Sequence, residues 1–374
     1  MPEDKFVEAR RQTQHKLELM ERYWGAWCTI LARTKGRHPF CPTRLWLVDT
    51  HAGSGEHASA TDPDGKIEGT PALAALAARD TQRRFPGIEV RVRATDKSKP
   101  VANALLAALR PYRGTPPVGV DIKVGNVDWV KAAPWVAAEI ADEDHPHGGR
   151  PVRDGRHDHR SLWFIDPYGP ESIEHGVIDE LPAGSEVIIN LDLMGLLRLA
   201  GRAHAGETAV RDLLGRIYGG DGWDAPSKLP HPHQALADAL AKSFPRWRHQ
   251  NAYLLRASGS QDRAMVHLTD SKTAVEAFAE KVELALKAGT VIAGRTLTTI
   301  ERDKAAVELF NRFRGLTLTT RQMYAVVTRY SLGQLRPICN TAATNRYGRW
   351  DDKTGTMEWF SERAPEPAPP TLGL

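Results

Sequence analysis

The sequence predicts an α/β fold: a doubly wound, mostly parallel sheet with helical additions and a small basic module near the C-terminal end. Three observations predict it. Short apolar runs suited to buried strands alternate with helical patterns between residues 44 and 200. Each of the first four runs ends in a turn that carries an acid, most of them with a glycine. Basic charge gathers after residue 290.

The elements follow in chain order. Residues 1–40 form an N-terminal helical segment, because Leu17, Met20, Tyr23, Trp24, Trp27, Ile30 and Leu31 recur at spacings of three and four over residues 4–34. Residues 41–290 form the sheet domain. Arg44–Asp49 reads as a buried strand running into the glycine turn Thr50-His51-Ala52-Gly53-Ser54-Gly55. Thr70 caps and Pro71 opens a helix over Ala72–Ala78. Ile88–Ala94 is a second strand closed by Thr95-Asp96, and a helix over about Pro100–Leu109 follows. Val120–Val124 is a third strand, closed by Gly125-Asn126-Val127-Asp128, with Trp129–Ile140 helical. Residues 141–160 read as a polar, solvated insertion; His145, His147, His157 and His159 match no closed zinc spacing, so no metal is expected. Leu162–Ile165 and Glu186–Leu191 are strands, and residues 205–250 are helical and peripheral. Ala252–Ala257 and Arg263–Leu268 are two more strands, and Lys272–Ala288 is an amphipathic helix. Residues 291–363 form the basic module and residues 364–374, APEPAPPTLGL, a proline-rich tail.

Composition narrows the class. No apolar run approaches the ~20 residues that span a bilayer. MPEDKFVEARRQ is charged and lacks an apolar signal core. A soluble, cytoplasmic protein is expected. Cys28, Cys41 and Cys339 are scattered and suggest neither a disulfide framework nor a metal knuckle.

The chemistry sits at strand carboxyl ends, where ligands of open parallel sheets bind. Strand one ends in Asp49 and His51-Ala52-Gly53-Ser54-Gly55, strand two in Asp96, strand three in Asn126 and Asp128, strand four in Asp166-Pro167-Tyr168. Gly53 and Gly55 let the backbone approach a ligand. Asp96, about 40 residues past the glycine turn, suits a ribose diol. Neither GxGxxG nor GxxxxGK[ST] is present, so a dinucleotide or a triphosphate is not favoured. A glycine turn without a phosphate cradle suits a nucleoside that lacks phosphates. S-adenosylmethionine (SAM) is the expected cofactor, held by Asp49, His51, Ala52, Gly53, Gly55, Asp96, Asn126 and Asp128. Taken singly, Asp96 reads as a strand-end turn residue, and Asn126 and Asp128 as a helix cap. The ordered set turns the balance toward a cofactor cleft. Glu186 and Asn190, on the fifth strand before Asp192, read as buried polar groups that satisfy neighbouring segments.

VDTHAGSGEH (residues 48–57), GTPALA (69–74), FIDPYG (164–169) and SEVIINLDLMGLLR (185–198) resemble, in that order, the three-Cys-motif partner (TcmP) family of bacterial proteins over roughly residues 14–290. His51 stands where that family usually has an aromatic, Thr70 where it has Ser, and Tyr168 where it has Phe. The resemblance implies a Rossmann-like fold of the class I methyltransferase type. It also implies association with a separate, radical-SAM-like protein bearing a three-cysteine motif, which the three cysteines here do not form. Asp166-Pro167-Tyr168-Gly169 further resembles the [DNS]-P-P-[YFW] motif of amino-methyltransferases. By that likeness Asp166 accepts a hydrogen bond from the target amino group and Tyr168 stacks on a base, with the aromatic one position early. A strand-to-helix turn, shaped by Pro167 and Gly169 and capped by Asp166, is the competing reading.

Between Arg295 and Trp350 nine arginines and one lysine face three acids, an excess of +7 that outweighs the +4 of the whole chain. Arg312, Arg314, Arg321 and Arg329 are the candidate phosphate contacts, with Phe310, Phe313, Tyr324 and Tyr330 interleaved as base platforms or core. Thr319-Thr320 caps a helix to Tyr330 with Gly333 as its stop, and a hairpin around Trp350 and Met357–Phe360 completes a winged-helix-like pattern. Two functions follow, and the basic segment argues against a third, methylation of a small molecule or protein. One is a SAM-dependent methyltransferase acting on an amino group in nucleic acid. The other is a methyltransferase-fold, nucleic-acid-binding partner subunit without transfer activity of its own.

Overall fold

The computed structural model describes residues 3–34, 43–58, 66–114, 119–144, 159–230, 232–256, 262–287, 299–324, 332–351, 354 and 356–362. Two compact units divide the chain, Met1–Ile292 and Ala293–Leu374.

The first unit is built on seven strands: β1 (Arg44–Asp49), β2 (Glu89–Asp96), β3 (Asp121–Asn126), β4 (His159–Ile165), β5 (Ser185–Asp192), β6 (His249–Arg256) and β7 (Asp262–Thr269). Their order across the sheet is β3-β2-β1-β4-β5-β7-β6. β1 to β5 pair in parallel, while β7 runs antiparallel to both β5 and β6. This is a Rossmann-like fold of the class I methyltransferase type. The strand order reverses at β1, between β2 and β4, which is the switch point where such sheets bind ligands. Helices cover the faces, so the central strands read as continuous apolar runs rather than alternating ones. Leu45–Val48 of β1 and Leu162–Ile165 of β4 are all buried.

Helices α1 (Glu3–Thr34), α2 (Thr70–Arg84), α3 (Lys99–Leu109) and α4 (Trp129–Asp144) lie among the first four strands. Later come α5 (Leu193–His204), α6 (Thr208–Tyr218), α7 (Pro232–Lys242) and α8 (Lys272–Lys287). α1 packs on α2 and α8. Its stripe Leu19, Met20, Tyr23, Trp24, Trp27 is buried, as the three-and-four spacing requires.

The structure departs from the sequence reading in four places. A short hairpin pairs Glu56–Ala58 with Lys66–Glu68, a stretch to which the sequence reading assigns no element. α4 runs on to Asp144 and β4 begins at His159, so the polar stretch contributes to both; residues 145–158 lie outside the described residues. The histidines at 145, 147 and 157 lie there too. α6 and α7 are not peripheral: Leu214, Ile217, Leu236, Leu240, Phe244 and Trp247 join the main core, because α7 packs on β6 and β7 and α6 packs on α5. Gly333, expected as a helix stop, lies in the first turn of a helix instead.

The second unit holds α9 (Thr299–Phe313), β8 (Thr317–Thr319), α10 (Thr320–Tyr324), α11 (Leu332–Thr344), β9 (Gly348–Asp351) and β10 (Thr356–Trp359). Its strands form an antiparallel sheet in the order β8-β10-β9. Gly348 is required where it stands, since a Cβ there would collide with the Glu358 carbonyl oxygen. Phe310, Phe313 and Trp359 are buried, with Phe310 against Tyr347 at 4.9 Å and Phe313 against Trp359 at 6.2 Å between ring centres. These aromatics are core, not base platforms. Among the described residues, no helix is long and apolar enough to cross a membrane.

Candidate functional site

The carboxyl ends of β1 to β4 converge on one cleft with about 320 Å³ of open space, lined by Thr50, His51, Asp96, Lys97, Asp128, Trp129, Tyr168 and Ser172. Four residues singled out from sequence, His51, Asp96, Asp128 and Tyr168, meet there. The others brace it from behind.

Asp49 is a brace. It is 1 % exposed, accepts the Thr70 hydroxyl at 2.5 Å, and accepts the His51 N–H at 3.2 Å. It thus ties the glycine turn to the first turn of α2. Gly53 and Gly55 take the left-handed φ values +60° and +79° that favour glycine. A Cβ on Gly55 would lie 2.9 Å from Leu105 Cδ1, so α3 packs flush against the turn. A Cβ on Gly53 would meet nothing within 4 Å, so its backbone faces open space. Ala52 is buried and its N–H donates to the Thr95 carbonyl at 3.0 Å.

Burial pushes the Asp49 carboxyl up to about 7; Asp166 adds to the rise, while Thr70, Lys16 and the His51 N–H oppose it. A folded-state value above the unfolded one means the native state holds the proton longer. Its stabilising effect is full below about pH 4 and is lost as pH rises through about 7. Asp49→Asn mimics the protonated form. The variant's stability relative to wild type should therefore improve by roughly 2 kcal/mol between about pH 5 and 8, at ~1.4 kcal/mol per pKa unit. Urea denaturation at the two pH values checks this. His51 titrates in the opposite sense and is common to both proteins, so it drops out of the comparison.

Asp96 is 5 % exposed; Oδ1 accepts the Ser98 N–H at 2.8 Å, and Oδ2 has no hydrogen-bond partner among the described residues. Asn126 does not line the cleft: its Nδ2 donates to the carbonyls of Asp96 at 3.1 Å and Lys97 at 3.0 Å, fixing the end of β2. Asp128 Oδ1 accepts the Val130 N–H at 3.0 Å as a cap of α4. Trp129 is held in the wall by donating to the Ser172 carbonyl at 2.7 Å.

The Asp166 carboxylate is fully engaged. Oδ1 accepts Asn190 Nδ2 at 2.6 Å, and Oδ2 pairs with Lys16 Nζ from α1. Burial acts to raise its pKa, but the Lys16 charge and hydrogen bond, Asn190 and the Arg263 charge prevail, and the pKa is lowered. It is a carboxylate across the neutral range. Pro167 is buried, whereas Tyr168 is 76 % exposed at the cleft mouth, unusual display for a large ring. Lys16 was not singled out from sequence. It lies 150 residues from Asp166 in the chain, and nothing local to either residue signals the pair.

Arg312 and Arg314 are exposed in the second unit, at the end of α9 and just past it. Arg321 lies in α10 with its side chain outside the described residues, and Arg329 lies outside them entirely.

The residues present fit S-adenosylmethionine. A Cβ on Gly53 would enter open space, Asp96 brings to the cleft an oxygen with no hydrogen-bond partner among the described residues, and Asp128 and Trp129 line the same cleft. Among the described residues no cluster of His, Cys, Asp or Glu is placed to hold a metal ion.

No protein-family model matches the chain, and no curated protein matches it. Several solved structures resemble it distantly. A protein of Legionella pneumophila str. Philadelphia 1 is 11 % identical at a TM-score of 0.38, covering 73 % of this chain and 91 % of its own. The methyltransferase domain of bacterial CtHen1-C is 14 % identical at 0.29, covering 68 % of this chain and all of its own, 100 %. A Podospora anserina methyltransferase bound to SAH is 14 % identical at 0.24, covering 66 % of this chain and 78 % of its own. The fold assignment rests on the strand order itself.

Proposed function

We propose that the first unit binds S-adenosylmethionine and transfers its methyl group to an amino group of a nucleic acid, which the second unit helps to hold. One observation carries the reading. Along a single sheet edge, in the spatial order β3-β2-β1-β4, stand Asp128, Asp96, the glycine turn with His51, and the Asp166-Pro167-Tyr168 motif. Asp96 would hold the ribose diol, the Gly53 backbone the amino-acid portion, and Asp128 with Trp129 the adenine. When bound, the cofactor supplies an electrophilic methyl carbon. Tyr168, exposed at the mouth, offers a ring face to a base; stacking of this kind contributes ~1–3 kcal/mol. Asp166 holds a fixed negative charge beneath the place where the target nitrogen becomes cationic.

The second unit supports the nucleic-acid part. Its helix–strand–helix–helix–hairpin order is winged-helix-like, and Arg312 and Arg314 are solvent-facing. Changing Arg312, Arg314 and Arg321 together to Gln should weaken binding to DNA or RNA. It should also flatten the dependence of log K on log salt by close to one unit per lost phosphate contact. An unchanged slope moves the contact surface elsewhere. Transfer of labelled methyl from S-adenosylmethionine to DNA or RNA tests the activity directly, and absence of transfer removes it.

One observation favours a second reading. Both oxygens of Asp166 already have protein partners, so the motif offers an incoming amino group only a shared acceptor. A nucleic-acid-binding partner subunit of a three-Cys-motif, radical-SAM-like enzyme, related to the TcmP proteins, needs no such acceptor. Under that reading the chain binds nucleic acid and transfers nothing.

A further inference from the structure

We propose that His51 is the proton acceptor of the transfer step: its Nε2 takes the proton that the target amino nitrogen must shed as it gains a methyl group. The inference rests on the transferase reading above.

Place comes first. His51 stands at the end of β1, which the sheet order sets between β2, carrying Asp96, and β4, carrying Asp166 and Tyr168. In the proposed arrangement the cofactor's ribose lies over β2 and the target over β4. The methyl group passes between them, over β1. His51 and Tyr168 line the same cleft.

The ring's hydrogen bonds fix which nitrogen is free. Nδ1 lies 2.8 Å from Thr50 Oγ1, and that hydroxyl lies 3.3 Å from the Phe164 carbonyl oxygen. A hydroxyl has one proton. Both contacts are hydrogen bonds together if Thr50 donates to Phe164, whose carbonyl also accepts the Thr50 N–H at 3.1 Å, and His51 Nδ1–H donates to Thr50, the arrangement proposed here. Nε2 then carries the lone pair, and it has no partner among the described residues.

The carboxylates at the ends of β1 and β4 already have protein partners. Asp166 is held by Lys16 and Asn190, and Asp49 by Thr70 and the His51 N–H. Asp128 gives Oδ1 to the α4 cap, and the open oxygen of Asp96 lies over β2 at the ribose position.

The basicity of the ring is compatible with the proposed substrate class. Burial pushes the imidazole down to about 4; Asp166, Asp128 and Asp96 oppose this and Lys97 adds to it. The ring is neutral across the physiological range, so its lone pair is always available. A base this weak takes a proton only from a strong acid. An amino group on an aromatic base becomes one when it is alkylated, because its lone pair no longer joins the ring. An alkylammonium does not. A neutral, weakly basic ring is compatible with the exocyclic amino group of a nucleobase, the substrate of the reading above. In the step, the nitrogen pair forms the new N–C bond as the C–S pair returns to sulfur. The N–H pair stays on nitrogen as its proton moves to Nε2, and the proton then passes to water in the open cleft.

Two measurements on the full chain test this. Imidazole ¹⁵N NMR of the protein alone should show His51 as the Nδ1–H tautomer, without titration from about pH 6 to 8. An Nε2–H tautomer, or a titration in that range, overturns the proposal. Single-turnover methyl transfer from S-adenosylmethionine to a mixed-sequence single-stranded oligonucleotide is the second. His51→Phe and His51→Gln should each slow it by on the order of 100-fold at saturating S-adenosylmethionine, with a much smaller loss of cofactor affinity and the melting temperature kept. A wild-type rate in His51→Phe, or a rate loss matched by an equal loss of S-adenosylmethionine affinity, overturns the base role alone. Absence of transfer by wild type overturns the transferase reading and the base role with it.

Discussion

Glu186→Ala should destabilise the first unit by about 3–5 kcal/mol, the range for breaking a buried hydrogen-bonded charge. Glu186 is 5 % exposed on β5 and accepts from four side chains. Tyr23 and Trp27 reach it from α1, the latter at 3.1 Å; His267 and Thr269 reach it from β7 at 2.8 and 3.3 Å. Burial, then the Glu186 charge, holds the Tyr23 hydroxyl well above its usual range, so it remains a donor. Removing the carboxylate leaves four donors dry, each costing ~1–3 kcal/mol if nothing replaces it. Partial collapse of the site keeps the total below the sum. Urea unfolding should show a lower midpoint with an unchanged m-value. Glu186→Gln, which retains one acceptor oxygen, should lose less. A loss under ~1 kcal/mol for the alanine variant would mean that α1 is held by its apolar stripe alone.

Asp166→Ala should lower methyl transfer by on the order of 100-fold or more, since fixed electrostatic groups at a reacting centre contribute ~3–4 kcal/mol. S-adenosylmethionine binding should change little, because Asp166 does not line the cleft. The substitution also strands Lys16, whose side chain is only 18 % exposed, so stability falls as well. The double variant Lys16→Met/Asp166→Ala separates the two effects. It should regain most of the stability without regaining transfer. If the double variant transfers methyl at the wild-type rate, Asp166 and Lys16 form a structural clamp and no more.

All seven sheet strands were legible in the sequence to within a few residues. Each is an apolar run bounded by turn residues, a local signal. The antiparallel insertion of β7 between β5 and β6 was not legible, because pairing is non-local and both strands have the same apolar pattern. The glycine turn and Asp96 were legible as strand-end polar residues. That Asp49 and Asn126 face the scaffold rather than the cleft was not, since spacing reports which residues share an end but not which way each points. Lys16 was invisible for a different reason. On the α1 sequence it is one basic residue among several, and only the packing of α1 beside β4 and β5 gives it Asp166 as a partner. The burial of α6 and α7 was missed because their apolar residues look ordinary until β6 and β7 supply a surface for α7 and α5 supplies one for α6.

The cofactor cleft is the claim on which the rest depends, and isothermal titration of the full chain with S-adenosylmethionine tests it most directly. Wild type should bind at one site. Asp96→Ala should bind at least tenfold more weakly, a loss of about 1.4 kcal/mol, with its melting temperature held. Failure of the wild type to bind, or equal binding by Asp96→Ala, would contradict the assignment of this cleft.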